Sequence, residues 1–270
     1  MTIRIDCKDC VEWVKDESNH GAQMAFADNP FNIGQKYNGF RDCRTEADLS
    51  SFTNLWMTGL WECVQPGGVM LIYHPVLMQR FIWSTLNLYE MSQYHANTII
   101  ANYNFGQHRW TEFVDAHCQC VVLRKPGGDR MFNAEEVLVP SERLKMGDKR
   151  VLNSPHKGMK TPGNVMPVEI RPDEGLALGK AIKSPRVQGN NNERWCISKG
   201  ALVDHPNQLP VSFLERLVAA YTKEGDFVVE PFTGSGSLAV TCQRMGRDYA
   251  GCDISQETVD SAAKRLGRGF

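Results

Sequence analysis

The stretch GDFVVEPFTGSGSLAVTCQRMGRDYAGCDIS, residues 225–255, carries the pattern that decides the fold. It predicts a buried strand, a tight loop with Gly234 and Gly236, a helix, and a second strand that ends in Asp253. Glycines let the backbone approach a ligand, and the helix N-terminus offers free N–H groups. An acid 19 residues after Gly234 can bind a ribose hydroxyl pair. The stretch therefore predicts an α/β fold with a nucleotide-type cofactor site.

Strand and helix patterns alternate at both ends of the chain. Residues 3–14 predict a strand and a short helix, 24–27 a strand, 48–64 a helix, 69–74 a strand and 210–222 a helix. Such alternation favours a parallel sheet covered by helices. From about residue 102 to 200 the pattern dissolves into Gly, Pro, Asn and charge, and loops that long are usually functional or mobile.

A second stretch, AFADNPFNIGQKYN, residues 25–38, sets Asp28, Asn29, Pro30 and Phe31 at the end of a predicted strand. Ligands of open α/β sheets bind outside the carboxyl ends of the strands, so this tetrapeptide is a candidate for the chemistry. Asn-Pro is also an ordinary turn initiator, and the tetrapeptide taken alone is compatible with a simple turn.

The composition is that of a soluble globular protein, with 42% hydrophobic and 23% charged residues among 270. No apolar stretch approaches the roughly 18 residues that span a bilayer, and MTIRIDCKDC has no signal-peptide core. Nine scattered cysteines indicate reduced thiols. The CKDC segment has no second ligand pair at a matching spacing, so no metal site is expected. We expect a cytoplasmic protein that does not enter a membrane.

The charge is unevenly distributed along the chain. Residues 121–200 hold 15 Lys and Arg against 9 Asp and Glu, although the whole chain carries a net charge of −1. This excess predicts a polyanion-binding module inserted into an enzyme body, and the alternative is a solvated surface with chance clustering.

Two motifs together resemble a known family. DNPF near the start and EPFTGSG near the end resemble the Asp-Pro-Pro-Tyr and Asp-Pro-Phe-x-Gly-Ser-Gly motifs of the β-class DNA amino-methyltransferases. These enzymes make N6-methyladenine or N4-methylcytosine from S-adenosyl-L-methionine. The segments KDCVEWV, VQPGGVMLI and DHPNQLPVSFLERLV resemble further blocks, in the family's order. The resemblance covers residues 1 to about 100 and 200 to 270.

The resemblance implies a Rossmann-like methyltransferase sheet that is circularly permuted, because the strand with the glycine loop lies near the C-terminus and the sheet continues from the N-terminus. It implies a catalytic domain at 1–103 and 201–270 and an irregular target-recognition region at 104–200. Lys145, Lys149 and Arg150 in that region are predicted to contact double-stranded DNA. A homodimer is left open. The implied cofactor-binding residues are Asp9, which would meet the adenine, Glu230, Phe232, Thr233, Gly234, Ser235, Gly236 and Asp253.

The resemblance assigns catalysis to the tetrapeptide. The exocyclic amine of a base is a poor nucleophile because its lone pair is delocalised into the ring. Asp28 and the backbone carbonyl of Asn29 are expected to accept its hydrogen bonds and hold the nitrogen in line with the methyl group. Pro30 stiffens the loop, and Phe31 would stack on the flipped base.

Three positions depart from the family. Asn29 stands where the family usually has Pro, Glu230 where it has Asp, and Leu209 where it has Lys. The Asn29 carbonyl is retained, but the stiffness of a proline is lost. Glu230 keeps a carboxylate, and the charge lost at Leu209 has no role that the sequence reveals.

The expected function is site-specific methylation of adenine N6 in DNA, because the family's adenine enzymes mostly carry Asp at the position of Asp28. Cytosine N4, RNA and a free nucleotide are alternative acceptors. The sequence is also compatible with a binding protein that has a degenerate site. An NAD-dependent dehydrogenase is a further alternative, because Ala239 stands at the last glycine of the dinucleotide fingerprint Gly-x-Gly-x-x-Gly, where alanine is tolerated. C5-cytosine methylation is disfavoured because the chain has no Pro-Cys dipeptide.

Overall fold

The computed structural model describes residues 1–37, 40–102, 110–113, 115–167, 194–205 and 207–267. The strands of these ranges are β1 (Ile3–Cys7), β2 (Ala22–Asp28), β3 (Lys36–Tyr37), β4 (Phe40–Arg41), β5 (Val64–Pro75), β6 (His95–Asn102), β7 (His117–Arg124), β8 (Val139–Pro140), β9 (Met159–Lys160), β10 (Val165–Pro167), β11 (Phe227–Glu230) and β12 (Asp248–Asp253). The helices are α1 (Cys10–Trp13), α2 (Glu46–Cys63), α3 (Gln79–Leu88), α4 (Glu142–Lys145), α5 (Lys149–Leu152), α6 (Val211–Tyr221), α7 (Ser237–Met245) and α8 (Gln256–Leu266).

The central sheet has the strand order β1-β12-β11-β2-β5-β7-β6-β10. The first five of these strands are parallel neighbours, whereas β7 is antiparallel to both β5 and β6. The C-terminal strands β11 and β12 are flanked by β1 and β2 from the N-terminus, with Cys7 opposite Asp253 and Met24 opposite Val228. The predicted α/β fold, with its Rossmann-like and permuted sheet, is therefore confirmed.

Alternation along the strands assigns the two faces of the sheet to different helices. Met24 and Phe26 of β2 belong to a core cluster with α6 and α7, and Ala25 and Ala27 belong to a second cluster with α1, α2 and α3. The small alanines leave room for Trp56 of α2, which is fully buried over this face. Helices on both faces bury the sheet and leave its carboxyl edge as the place where loops gather.

The predicted target-recognition region, residues 104–200, contributes two strands to the sheet, β7 and the edge strand β10, and this corrects its expected irregular character. β7 lies between β5 and β6, and its residues from Cys120 to Leu123 are fully buried. The physical reason is that β5 offers an unpaired edge, which the apolar run at 120–123 fills. The remaining assignment of 104–200 to target recognition stays a prediction.

Within the described ranges, no helix combines the length and apolar character that a membrane crossing requires.

Candidate functional site

A cleft of about 1260 Å³, including its open mouth, lies at the carboxyl edge of β2, β11 and β12. Strand ends and the loops that follow them form its walls. Eleven of the twelve residues predicted for catalysis and cofactor binding line it: Asp9, Asp28, Asn29, Pro30, Phe31, Glu230, Phe232, Thr233, Gly234, Ser235 and Asp253. The two motifs, which are about 200 residues apart in the chain, thus meet in one cleft because β2 and β11 are neighbours.

The tetrapeptide begins at the last residue of β2. Asp28 is half-buried, and loss of solvation raises the pKa of its carboxyl to about 8. Asn29 is 3% exposed, and its Nδ2 donates to the Pro30 carbonyl at 3.0 Å. Phe31 is half-buried against the core cluster of α6 and α7. The atypical Asn29 is therefore held by burial, where the family usually has the stiffness of proline.

The glycine loop between β11 and α7 is closed by backbone hydrogen bonds. The Thr233 N–H donates to the Cys252 carbonyl, and the Gly236 N–H donates to the Thr233 carbonyl, both at 2.9 Å. The Gly234 N–H donates to Asp253 Oδ2 at 3.2 Å. These bonds fasten the loop to the end of β12, so that Asp253 shapes the loop as well as the cleft.

The two glycines of the loop meet different neighbours. Gly234 has φ +50°, and a Cβ there would lie 2.7 Å from His205 Nε2 in the cleft wall. Gly236 has φ +73°, and its Cβ would lie 2.9 Å from Ala262 Cβ of α8. Both positions lie in the left-handed region that favours glycine. Gly236, the twelfth predicted residue, therefore lies behind the cleft and allows α8 to approach the loop.

Carboxylates crowd the cofactor side of the cleft. Glu230 is buried and accepts a hydrogen bond from the Tyr249 hydroxyl at 2.6 Å. That hydroxyl also lies 3.0 Å from Thr233 Oγ1. Burial raises the pKa of Glu230 well above its usual range and also raises that of Asp253. Asp9 is exposed and caps α1 by accepting from the Val11 N–H at 2.8 Å.

The sequence did not assign a role to three cleft residues, Tyr37, His205 and Asn207. The rings of Tyr37 and His205 are 5.8 Å apart, and Asn207 Nδ2 donates to the Tyr37 hydroxyl at 3.4 Å. Burial and, second, the charge of Arg265 lower the pKa of His205 to about 4. The sequence signal that pointed to His205 and Asn207 was the DHPNQLP segment, which resembles a block of the family. The resemblance gave no function to the side chains of that segment.

Two of the predicted DNA-binding residues, Lys149 and Arg150, lie outside the cleft lining. Lys149 and Arg150 are exposed on α5, and Arg150 pairs with Asp148 through Nε at 3.0 Å and Nη2 at 2.9 Å. The backbone of Lys145 ends α4, and its side chain lies outside the described part of the chain. The structure does not bring Lys149 and Arg150 together with the tetrapeptide.

The cysteines are all free of disulfide bonds. Of the CKDC pair, Cys7 is exposed and Cys10 is buried. The part of the chain that the structure describes contains no group of three His, Cys, Asp or Glu side chains that could hold a metal ion.

Comparison with known proteins gives consistent matches. Residues 22–264 match the family model N6_N4_Mtase, described as DNA methylase. The Type II methyltransferase M.HpaI of Haemophilus parainfluenzae is 23% identical over 271 residues, which cover 100% of this chain and 76% of that protein. The matched family range includes both the tetrapeptide and the glycine loop.

Two solved structures share the fold. The M1.HpyAVI–SAM complex superposes with a TM-score of 0.61 at 18% identity, covering 98% of this chain and 99% of that one. The PvuII DNA methyltransferase, which is cytosine-N4-specific, superposes with a TM-score of 0.63 at 13% identity, covering 97% and 85% of the two chains. At these identities the likeness is one of fold.

Proposed function

Because the chain belongs to the N6/N4 DNA methylase family, we propose that it transfers a methyl group from S-adenosylmethionine to double-stranded DNA. The acceptor is the exocyclic amine of a base, and adenine N6 is the preferred one. One observation carries the proposal. Asp28 and Gly234 line the same cleft, so an acceptor for the amine and a loop for the cofactor face one space. A reaction between two bound molecules needs this proximity.

The residues of the cleft fit S-adenosylmethionine, the cofactor of this family. Gly234 lines the cleft, and the glycine loop leads into the N-terminus of α7. Asp253 ends β12 and Asp9 follows the neighbouring strand β1, where acids suit the ribose and adenine. Glu230 also lines this wall, and the Tyr249 hydroxyl donates a hydrogen bond to it. When bound, the cofactor supplies an activated methyl group on a cationic sulfur.

Asp28 and the Asn29 carbonyl would accept hydrogen bonds from the amine. Positive charge develops on the nitrogen as it attacks, and a carboxylate in a cleft with little water stabilises that charge strongly. Deprotonated Asp28 is the form that accepts. Phe31 would offer an aromatic face to the extruded base, a contact that is worth about 1–3 kcal/mol per base in comparable sites.

The burial and packing of the tetrapeptide, residues 28–31, weaken the hypothesis of a binding protein with a degenerate site. Asn29 is buried, its amide donates to the Pro30 carbonyl, and Phe31 is packed on the core. A departure from proline therefore does not leave this segment without support. The backbone carbonyl that the chemistry uses is present in any residue at this position.

The first prediction concerns the product. Incubation of the full chain with S-adenosylmethionine and unmethylated genomic DNA is expected to yield N6-methyladenine, detected by nucleoside mass spectrometry. The preference for adenine rests on Asp28, since both adenine and cytosine present an amine donor. Methylcytosine without methyladenine would reverse the choice of base and keep the enzyme class. Methylation of RNA alone would contradict DNA as the substrate.

The second prediction concerns the basic region. Replacing Lys145, Lys149 and Arg150 together by alanine is expected to weaken duplex binding. The slope of log K against log salt concentration should become shallower by up to about one unit per lost phosphate contact. Asp148 already neutralises part of the Arg150 charge, so Lys149 should contribute more than Arg150. Fluorescence anisotropy against salt concentration measures the slope.

A matched control for this triple variant removes the same charge elsewhere. Lys15, Lys223 and Lys264 are exposed and lie outside residues 104–200, so their joint replacement by alanine should leave the salt slope close to the wild-type value. Equal salt slopes for the two triple variants would show that Lys145, Lys149 and Arg150 are solvated surface residues that do not contact DNA.

A further inference from the structure

Helix α8 presents three buried residues on one face, Ser261, Ala262 and Arg265, which we call the α8 brace. They are 3%, 0% and 2% exposed. The residues are spaced one and three positions apart, and they contact two separate walls of the cofactor cleft. Arg265 is notable among them, because a guanidinium is rarely this well buried unless its N–H groups are bound.

Arg265 and Ala262 contact the glycine loop from behind. Arg265 Nη1 donates to the Ser235 carbonyl at 3.0 Å and to Ser237 Oγ at 3.0 Å. Ala262 lies against Gly236, where an added Cβ would come within 2.9 Å of its own Cβ. The Ser235 carbonyl is thus bound on the α8 side of the loop. A charge-assisted bond of this kind fixes the orientation of the peptide that carries it.

Ser261 contacts the segment at residues 194–205, whose last residues, Val203 to His205, also line the cleft. Trp195 is 3% exposed, and its Nε1 donates to the Ser261 carbonyl at 3.1 Å and lies 3.2 Å from Ser261 Oγ. The Leu202 N–H also donates to Ser261 Oγ, at 3.1 Å. Three residues later, His205 lies against Gly234 of the glycine loop.

We propose that Arg265 is a positioning residue for cofactor binding, and that the α8 brace sets the glycine loop and the 194–205 wall at the separation that S-adenosylmethionine requires. The inference rests on the proposed function, because it takes the cofactor from it. Two walls fixed to one helix cannot move apart without breaking buried hydrogen bonds. A binding loop held by such a second layer loses affinity when that layer is removed, even though no contact with the ligand is deleted.

The test measures binding of S-adenosylhomocysteine to the full chain by calorimetry, below the unfolding temperature of each variant. Arg265→Met removes the donors and keeps an unbranched apolar stem, and it is expected to raise Kd at least about tenfold. Arg265→Lys keeps the charge but lacks the planar fork, so it should restore part of the affinity. Lys264→Met removes the same charge from the exposed face of α8 and should leave Kd unchanged.

Kinetics separate positioning from general destabilisation. Arg265→Met should raise KM for S-adenosylmethionine by a factor similar to that in Kd and keep kcat within about threefold, because no reacting atom is touched. Should Arg265→Met fail to fold, Arg265→Lys and Ser261→Ala carry the test, and both are expected to raise Kd at least about threefold.

Unchanged Kd in a folded Arg265→Met protein, or in both of the milder variants, would overturn the inference. Absence of S-adenosylhomocysteine binding by the wild-type protein would instead count against the proposed function. The two failures are therefore distinguishable.

Discussion

Replacing Asp28 by alanine is expected to abolish methyl transfer while leaving the Kd for S-adenosylhomocysteine within about tenfold, or ~1.4 kcal/mol. Asp28 ends β2, beside the strand β11 that leads into the glycine loop, and its carboxyl lines the cleft. Its proposed role is toward the target amine, so the cofactor loses no direct contact. Loss of a single such electrostatic group typically costs about 10²–10³-fold in kcat, and loss of the in-line orientation of the amine adds to it.

Conservative variants sharpen this prediction. Asp28→Asn keeps the size but loses the negative charge, so it should be nearly as inactive as the alanine variant. Asp28→Glu keeps the charge and displaces it by one methylene, which should leave weak activity. Asp260 of α8 is exposed, and Asp260→Asn serves as a control with wild-type activity expected. Substantial turnover by purified Asp28→Ala would remove Asp28 from the catalytic assignment.

The pH profile gives a readout that a merely structural role would not move. Burial raises the pKa of Asp28 to about 8, and the proposed chemistry uses the deprotonated carboxylate. The fraction of carboxylate grows with pH, so kcat/KM of the wild-type protein should rise through about pH 8 and level off above it. Because kcat/KM reports the free enzyme, this rise should be absent from the residual activity of Asp28→Asn.

Gly234→Val is expected to eliminate measurable cofactor binding. A β-branched residue at φ +50° is strained, at a cost of about 1–3 kcal/mol. The added Cβ would also lie 2.7 Å from His205 Nε2, and His205 has little room to retreat because its ring contacts Tyr37. The side chain therefore displaces the cleft wall where the cofactor is proposed to bind. Calorimetry with S-adenosylhomocysteine measures the loss.

Two further glycines separate the causes of this effect. Gly225 has φ +82° and nothing within 4 Å of an added Cβ, so Gly225→Ala reports the cost of the backbone alone. It should lower the melting temperature slightly and leave Kd unchanged. Gly236→Ala would press on Ala262 of α8 and is expected to reduce stability more than Gly225→Ala does. A folded Gly234→Val protein that binds the cofactor with unchanged Kd would show that the loop is only a turn.

The α/β fold could be predicted from the sequence because its signals are local, whereas the permuted order of the sheet was implied by the resemblance to the family. The strand, glycine loop and helix of residues 225–245 are contiguous, and the acid that completes the pattern, Asp253, ends the next strand. β7 could not be assigned in the same way. An apolar run of four residues at 120–123 joins a sheet only if another strand offers an edge, and that edge belongs to β5, some 50 residues earlier.

The sequence by itself determined the candidate site residues, since Asp28, the glycine loop and Asp253 belong to contiguous motifs at the ends of predicted strands. Only the tertiary structure decided what each of them meets. Gly234 and Gly236 are the same letter in one motif, yet one lies against His205 and the other against Ala262. Arg265 and Asn29 are both buried in the fold, and nothing in the sequence predicts that burial. Burial, pKa and steric limits depend on neighbours brought together from distant parts of the chain, and no local pattern encodes them.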